Sequence, residues 1–269
     1  MTGMNVDPNE VLKAVGDNLP VKEAYADALK PAMAELGIGL GTLAGTIRLA
    51  LIPLEFLVYK GDQIREKFMP DLENRLETVP PHRIQTPAPE VAGPIFEALR
   101  FTAQNDELRR MYANLLGTAM DSETARSAHP AFVEVLKQIT PDEARAWREI
   151  GGDLPAKYMA MIEVRNLSGD MYRTDLSHFL DAKNCEYPDL IPTYVTNWIR
   201  LGLIEVIDGT AADESYKEIE EHELIVRARS AIESVEGHTA ELHRSACAVT
   251  PFGEQFVAAC VSPTVGTKA

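Results

Sequence analysis

The sequence has little cysteine, no basic cluster and no uninterrupted apolar run of membrane-spanning length. Cys185, Cys247 and Cys260 are its only cysteines, too few and too scattered for a disulfide framework or a zinc site, so a reduced cytosolic setting is expected. Lys and Arg number 26 against 41 Asp and Glu, a formal net charge of −15. Such a surface repels phosphate backbones, and with no basic stripe to offset it nucleic acid is not expected as a partner. Met1 to Asn9 is polar and lacks a basic n-region, so no secretory signal is expected. Catalytic signatures are missing as well: there is no G-x-S-x-G, no phosphate-binding glycine loop and no dinucleotide fingerprint. None of the 6 histidines takes a spacing that puts two ligands on one helix face. No catalytic residue, metal or cofactor is therefore expected, and the chain does not read as an enzyme.

A few single residues carry a bland and a chemical reading. Asp142 with Glu143, and Asp170 with Asp175, read as surface acids of a strongly acidic chain rather than as catalytic carboxylate pairs. His129, directly before Pro130, reads as a residue that caps or pins a helix start rather than as a general base. Cys185 beside Asn184 has no nominated base.

What is present is helical periodicity on a globular composition, 45% hydrophobic and 25% charged. Residues 1–79 read as an N-terminal helical region. Asp7-Pro8 starts a helix, and Ile64, Phe68, Leu72 and Leu76 recur every four residues on a later one. Residues 80–94 hold five prolines, a density that predicts an extended connector, either a free linker or an ordered strap. Ile84 and Val91 favour the strap, because a free linker avoids such residues. Residues 95–185 read as a helical bundle with helices over 95–103, 106–120 and 130–139, and a fourth opening at the capping box Thr140-Pro141-Asp142-Glu143 and ending at Gly151-Gly152. On the second of these, Leu108, Met111, Tyr112, Leu115, Leu116 and Ala119 share one face.

Residues 186–269 change character. A helix from Pro192 closed by Gly202, a β-branched run to Ile207, a second short strand over 244–249 and a helix opening at Thr250-Pro251 give a winged-helix-like outline. Between the strands, residues 209–241 carry nine acidic residues against Lys217, Arg227 and Arg229, the wrong sign for a DNA-reading wing. A mostly exposed helix is expected there, with Tyr216, Ile219, Leu224, Val226 and Ile232 as its apolar positions. The fold class is thus mainly α: a helical bundle with a small winged-helix-like α+β module at the C-terminal end.

One segment is unusual. Residues 32–59 are apolar and glycine-rich, with Glu35, Arg48 and Glu55 as their only charges. A resident transmembrane helix wants about 18–20 consecutive apolar residues, which this segment does not reach. Gly37, Gly41 and Gly45 repeat every fourth residue and so share a narrow helix face. Each costs about 1 kcal/mol relative to alanine in a soluble helix, so three on one stripe want a reason. Either the stripe packs tightly against another helix of the folded monomer, or the segment is held in the resting protein and released into a bilayer, where overlapping G-x-x-x-G units become the helix–helix contact. Arg48 and Glu55 fit both: they face water in the monomer or line a wet lumen in a pore.

Arg109 to Ala144, RRMYANLLGTAMDSETARSAHPAFVEVLKQITPDEA, resembles the Abi-alpha family, helical bacterial proteins associated with abortive infection of phage-infected cells. The Met111–Leu116 and His129–Phe132 elements are its most specific parts. The resemblance extends back through Pro87–Pro89 and Gly93-Pro94, forward to Leu201–Ile204 and Thr250–Gly253, and is expected to cover most of the chain beyond about Gly37. It implies a bacterial or prophage-encoded defence protein and brings no catalytic residues. Because abortive infection needs a way to stop the host cell, it favours the membrane reading of the glycine stripe. The expected partners are a phage protein as trigger, further copies of the chain on activation, and the inner membrane. The alternative is a non-inserting module of a defence system that acts by binding a host or phage factor.

Overall fold

The computed structural model describes residues 43–51, 64–151, 159–168, 171–178, 185–207 and 213–261. The chain divides into two compact units, Met1–Gln138 with Pro263–Ala269, and Ile139–Ser262. The architecture is mainly α, with one antiparallel sheet in the second unit.

The first unit is helical. Helix α1 spans Leu43–Leu51. A π-helical turn over Ile64–Phe68 runs directly into α2, Met69–Leu76. Pro70 has no amide hydrogen to donate, and it sits where the wide turn hands over to the regular helix. Phe68, Leu72 and Leu76 are fully buried, as their four-residue spacing predicts. Phe68 meets Phe96 edge-on at 6.1 Å.

The proline-rich stretch is an ordered strap that becomes a helix sooner than expected. Ile84 forms an antiparallel bridge with Asp121, the Gln85 amide donates to the Met120 carbonyl at 2.8 Å, and the Ser122 amide donates to the Arg83 carbonyl at 3.0 Å. Helix α3 then spans Pro89–Thr102, whereas the sequence reading started it at Ile95. Pro89 occupies the first helical position, where a missing amide hydrogen costs nothing. Pro94 sits inside the helix and forfeits one backbone bond, which burial of Val91, Ala92, Ile95, Phe96, Ala98 and Leu99 on one face outweighs.

Helix α4, Asp106–Met120, is capped by Asn105, whose side chain accepts the Leu108 amide. All six of its expected core positions are buried. Helix α5, Ala131–Leu136, is shorter than the 130–139 expectation.

In the second unit, the Glu143 amide donates to the Thr140 hydroxyl at 3.1 Å and the Thr140 amide donates to the Glu143 carboxylate at 2.7 Å, a reciprocal capping box. Helix α6 follows over Pro141–Gly151. Strands β1, Met159–Ser168, and β2, Met171–His178, come next, in a stretch assigned above to the helical bundle. That assignment is wrong here. The alternation of Ala160, Ile162 and Val164, followed by Gly169-Asp170 between the strands, is a hairpin pattern that strong helical signals upstream had overshadowed.

Helix α7, Ile191–Arg200, ends at Gly202, whose φ of 72° suits glycine alone. The Gly202 amide donates to Ile199 and the Leu203 amide to Trp198, the paired bonds of a Schellman cap. Strand β3, Ile204–Ile207, helices α8, Asp213–Glu220, and α9, Glu223–Glu233, strand β4, His238–Val249, and helix α10, Pro251–Phe256, complete the order. A π-helical turn over Val257–Val261 extends α10. The sheet order is β2-β1-β4-β3.

The acidic 209–241 stretch is not an exposed excursion. Its helices cover the sheet, with Tyr216, Ile219, Ile225 and Ile232 packed on Ala160, Ile162 and Val164. The Tyr216 hydroxyl donates to the Ser245 carbonyl at 2.7 Å, and Arg244 lies over the Tyr216 ring. Of the apolar positions named from the sequence, Tyr216, Ile219 and Ile232 are buried, Leu224 is half-buried and Val226 faces solvent. The stretch also contains the first residues of β4, so the acidic count conceals a strand. Elsewhere in this unit Trp147, Trp198 and Phe256 form an aromatic cluster, with ring centroids 5.3 and 6.0 Å from Trp147.

Candidate functional site

Of the residues singled out in the apolar segment, Gly37, Gly41 and Glu55 lie outside the described residues, while Gly45 and Arg48 fall on α1. Gly45, Thr46, Ile47, Ala50 and Leu51 are buried there, and α1 packs against α2. Ile47 and Ala50, three residues apart, and Leu51, four from Ile47, form the face expected of an amphipathic turn. Among the described residues no helix is long and apolar enough to cross a membrane.

Helix α2 is also fastened to α4. Arg109 Nε donates to Asp71 Oδ2 at 2.7 Å. Its Nη1 donates to Asp106 Oδ1 at 2.6 Å and to the Ala103 carbonyl at 3.1 Å, so one buried guanidinium ties α2, the end of α3 and the start of α4 together. Burial alone would push the Arg109 pKa down; the two carboxylates outweigh it and raise it. The Asp106–Arg109 pair is readable in the sequence as an i,i+3 contact, but nothing there announces Asp71. One turn along α2, the stem of Arg75 lies against Gly117: a β-carbon at 117 would sit 2.5 Å from Arg75 Cγ. Burial pushes the Arg75 guanidinium down, partly offset by Asp121.

Asp142 and Glu143 are not surface acids, contrary to the sequence reading. Both are buried; Asp142 serves α7 and the loop before it, and Glu143 serves α7. Asp142 accepts the Glu186 and Tyr187 amides at 2.7 and 3.0 Å, the Tyr194 hydroxyl at 2.9 Å and Arg145 at 3.0 Å. Burial favours its neutral form, but these four donors win and hold its pKa below the usual carboxylate range. Burial and the same hydrogen bond push the Tyr194 pKa well up. Glu143 accepts the Asn197 amide at 2.7 Å in addition to its capping role. Every lone pair used points at a scaffold donor, which is the arrangement of a structural brace. Asp170 lies outside the described residues, and Asp175 lies on β2.

His129 caps α5: its Nδ1 accepts the Ala131 amide at 3.1 Å, and its ring leans on Phe132 at 5.8 Å. Cys185 is buried, and burial pushes the Cys260 thiol well up, away from thiolate chemistry. Among the described residues no group of three His, Cys, Asp or Glu side chains is placed to hold a metal ion.

The short motifs turn out to be staples of the fold. The Thr250 hydroxyl accepts the Gly253 amide at 2.9 Å and donates to the Gly202 carbonyl at 2.6 Å, while the Thr250 amide donates to the Leu203 carbonyl at 3.0 Å. Leu201–Ile204 and Thr250–Gly253, far apart in sequence, are therefore one interlocked corner. Met111, Tyr112, Leu115 and Leu116 are core residues of α4.

The model of the abortive infection alpha family matches residues 60–260. The match starts at residue 60 rather than near Gly37, so the glycine-rich apolar segment lies upstream of it. No curated protein matches the chain. An uncharacterized protein from the hydrocarbon-degrading marine bacterium Alcanivorax borkumensis SK2, of solved structure, is similar at 17% identity with a TM-score of 0.38, covering 49% of this chain and 92% of that one; at that level the likeness carries no argument.

Proposed function

The chain belongs to the abortive infection alpha family, and from that membership we propose that it is an antiphage abortive-infection protein. In this reading it rests in the bacterial cytoplasm, is triggered by a phage product, self-associates, and permeabilises the inner membrane through the 32–59 segment. The observation that carries the membrane step is α1. The charge-poor stretch contains a helix whose Gly45, Ile47, Ala50 and Leu51 are buried instead of exposed, and that helix packs against α2. An apolar helix held on a neighbouring helix is a form from which release follows when that neighbour yields. The family match does not reach this segment, so the step rests on the segment's own chemistry.

The alternative is a non-inserting module that binds a host or phage factor. It is favoured by the absence, among the described residues, of a helix able to cross a membrane. Infected cells carrying the wild-type chain or Gly41→Leu separate the two. Membrane insertion predicts uptake of a membrane-impermeant dye with the wild type, and its loss, together with loss of protection, with a folded Gly41→Leu. A stable Gly41→Leu chain that still protects cells leaves binding as the mode of action.

A further inference from the structure

We propose that the Asp71–Arg109 ion pair is the latch that keeps α1 docked, an autoinhibitory contact acting through α2; it rests on the membrane-release reading above. Two sets of contacts made by one short helix support it. Helix α2 packs against α1. It is also held by Arg109 through Asp71, and by the Arg75 stem seated on Gly117. Helix α2 is only 8 residues long and enters from a π-helical turn, so its own hydrogen bonds cannot keep it in place without tertiary contacts.

Arg109 has two carboxylate partners, but they are not equivalent. The Asp106 side chain is 62% exposed and the Asp71 side chain 20%, against 8% for Arg109. Water screens the first pair, and the second operates in a drier environment where the attraction is stronger. Moreover, Asp106 sits on the same helix as Arg109, so that pair holds no other element. Only Asp71 converts the buried charge of α4 into a grip on α2. When that grip opens, α2 is left with its apolar contacts and the Arg75 stem, and the floor beneath α1 is no longer fixed. Release of the apolar segment is thereby coupled to a polar contact, which can break without dissolving the α3–α4 core.

The test uses the full chain in cells, with and without phage, following a membrane-impermeant dye. Asp71→Asn removes the charge; Gly117→Ala leaves the pair intact and forces Arg75 off α4. Wild-type cells should take up dye only after infection, whereas both variants should raise uptake in uninfected cells by about tenfold or more. Wild-type uptake on infection with both folded variants silent in uninfected cells overturns the latch. No wild-type uptake on infection instead sinks the membrane reading, and amide hydrogen exchange of the purified wild-type chain then judges the latch. That measurement also decides if either variant fails to fold. Amides of α1 and α2 should open together and faster than those of α4; opening of α1 while α2 stays protected overturns the proposal.

Discussion

The carbonyl oxygen of Leu203 lies 2.1 Å from the place that a β-carbon at Gly253 would occupy. No side chain fits there, because the obstacle is backbone, fixed by the Schellman cap at Gly202 and by the Thr250 amide that donates to the same carbonyl. The glycine of the T-P-F-G element is thus required by the approach of another chain segment and not by its own φ.

Gly253→Ala should therefore destabilise the second unit by about 3 kcal/mol, the upper range for an inserted methyl in a packed site. Trp147 and Trp198 are the only tryptophans in the chain, and both pack in the cluster with Phe256. Urea unfolding followed by tryptophan fluorescence reads this unit directly. An unchanged midpoint would show that Leu203 can move away at no cost.

Asp142 makes a pH prediction. Its folded pKa is depressed, so its stabilisation is present in full above the ordinary carboxylate value near about 4 and is lost as pH falls through the folded pKa. At neutral pH Asp142→Asn should cost about 1.5–3 kcal/mol, the range for hydrogen bonds to a charged group. The gap to wild type should narrow as pH falls toward 3, since the wild type loses stability that the variant never had. Parallel stability curves across that range would mean that Asp142 titrates as it does in the unfolded chain.

Arg48→Leu addresses the apolar segment. An arginine near the middle of a membrane helix costs roughly 2.5–3.5 kcal/mol on insertion scales, so its removal should shift protein from the soluble to the washed-membrane fraction of uninfected cells. Wild-type protein should stay in the soluble fraction. Stable recovery of the wild type in washed membranes without phage would contradict a resting cytoplasmic form.

Duplex DNA should not bind measurably at physiological salt. The helices α8 and α9 spend Arg227, Arg229 and the nearby Arg244 on Glu223, Glu233 and Glu220, leaving no basic stripe to release counterions. Tight binding that weakens steeply with salt would revive a DNA-reading role for the C-terminal module.

Several features were legible from local pattern. Thr140 sits at a helix start, Leu108 to Ala119 repeat with the helical period, and Gly202 stops a helix, because caps, periods and positive-φ sites depend on neighbours within a few residues. The β1–β2 hairpin was missed although its alternation was present. A ten-residue strand next to strong helices offers a weak local signal, and only pairing with β4 makes it pay.

The sequence by itself determined the mainly helical class, the helix starts at Asp106, Thr140-Pro141 and Thr250-Pro251, and the family resemblance, each carried by contiguous residues. Tertiary structure alone decided where the charges went. Asp142 and Glu143 look like surface acids until the 186–187 amides, Tyr194 and Asn197 arrive from more than forty positions away. Asp71 and Arg109 are 38 residues apart, and only the packing of α2 on α4 makes them a pair. The acidic helices α8 and α9 carry charge outward and Tyr216, Ile219, Ile225 and Ile232 inward, onto strands supplied by residues 159–168 and 238–249. Burial is a property of the whole fold: the same carboxylate is a solvated acid or a brace according to donors that no local window contains.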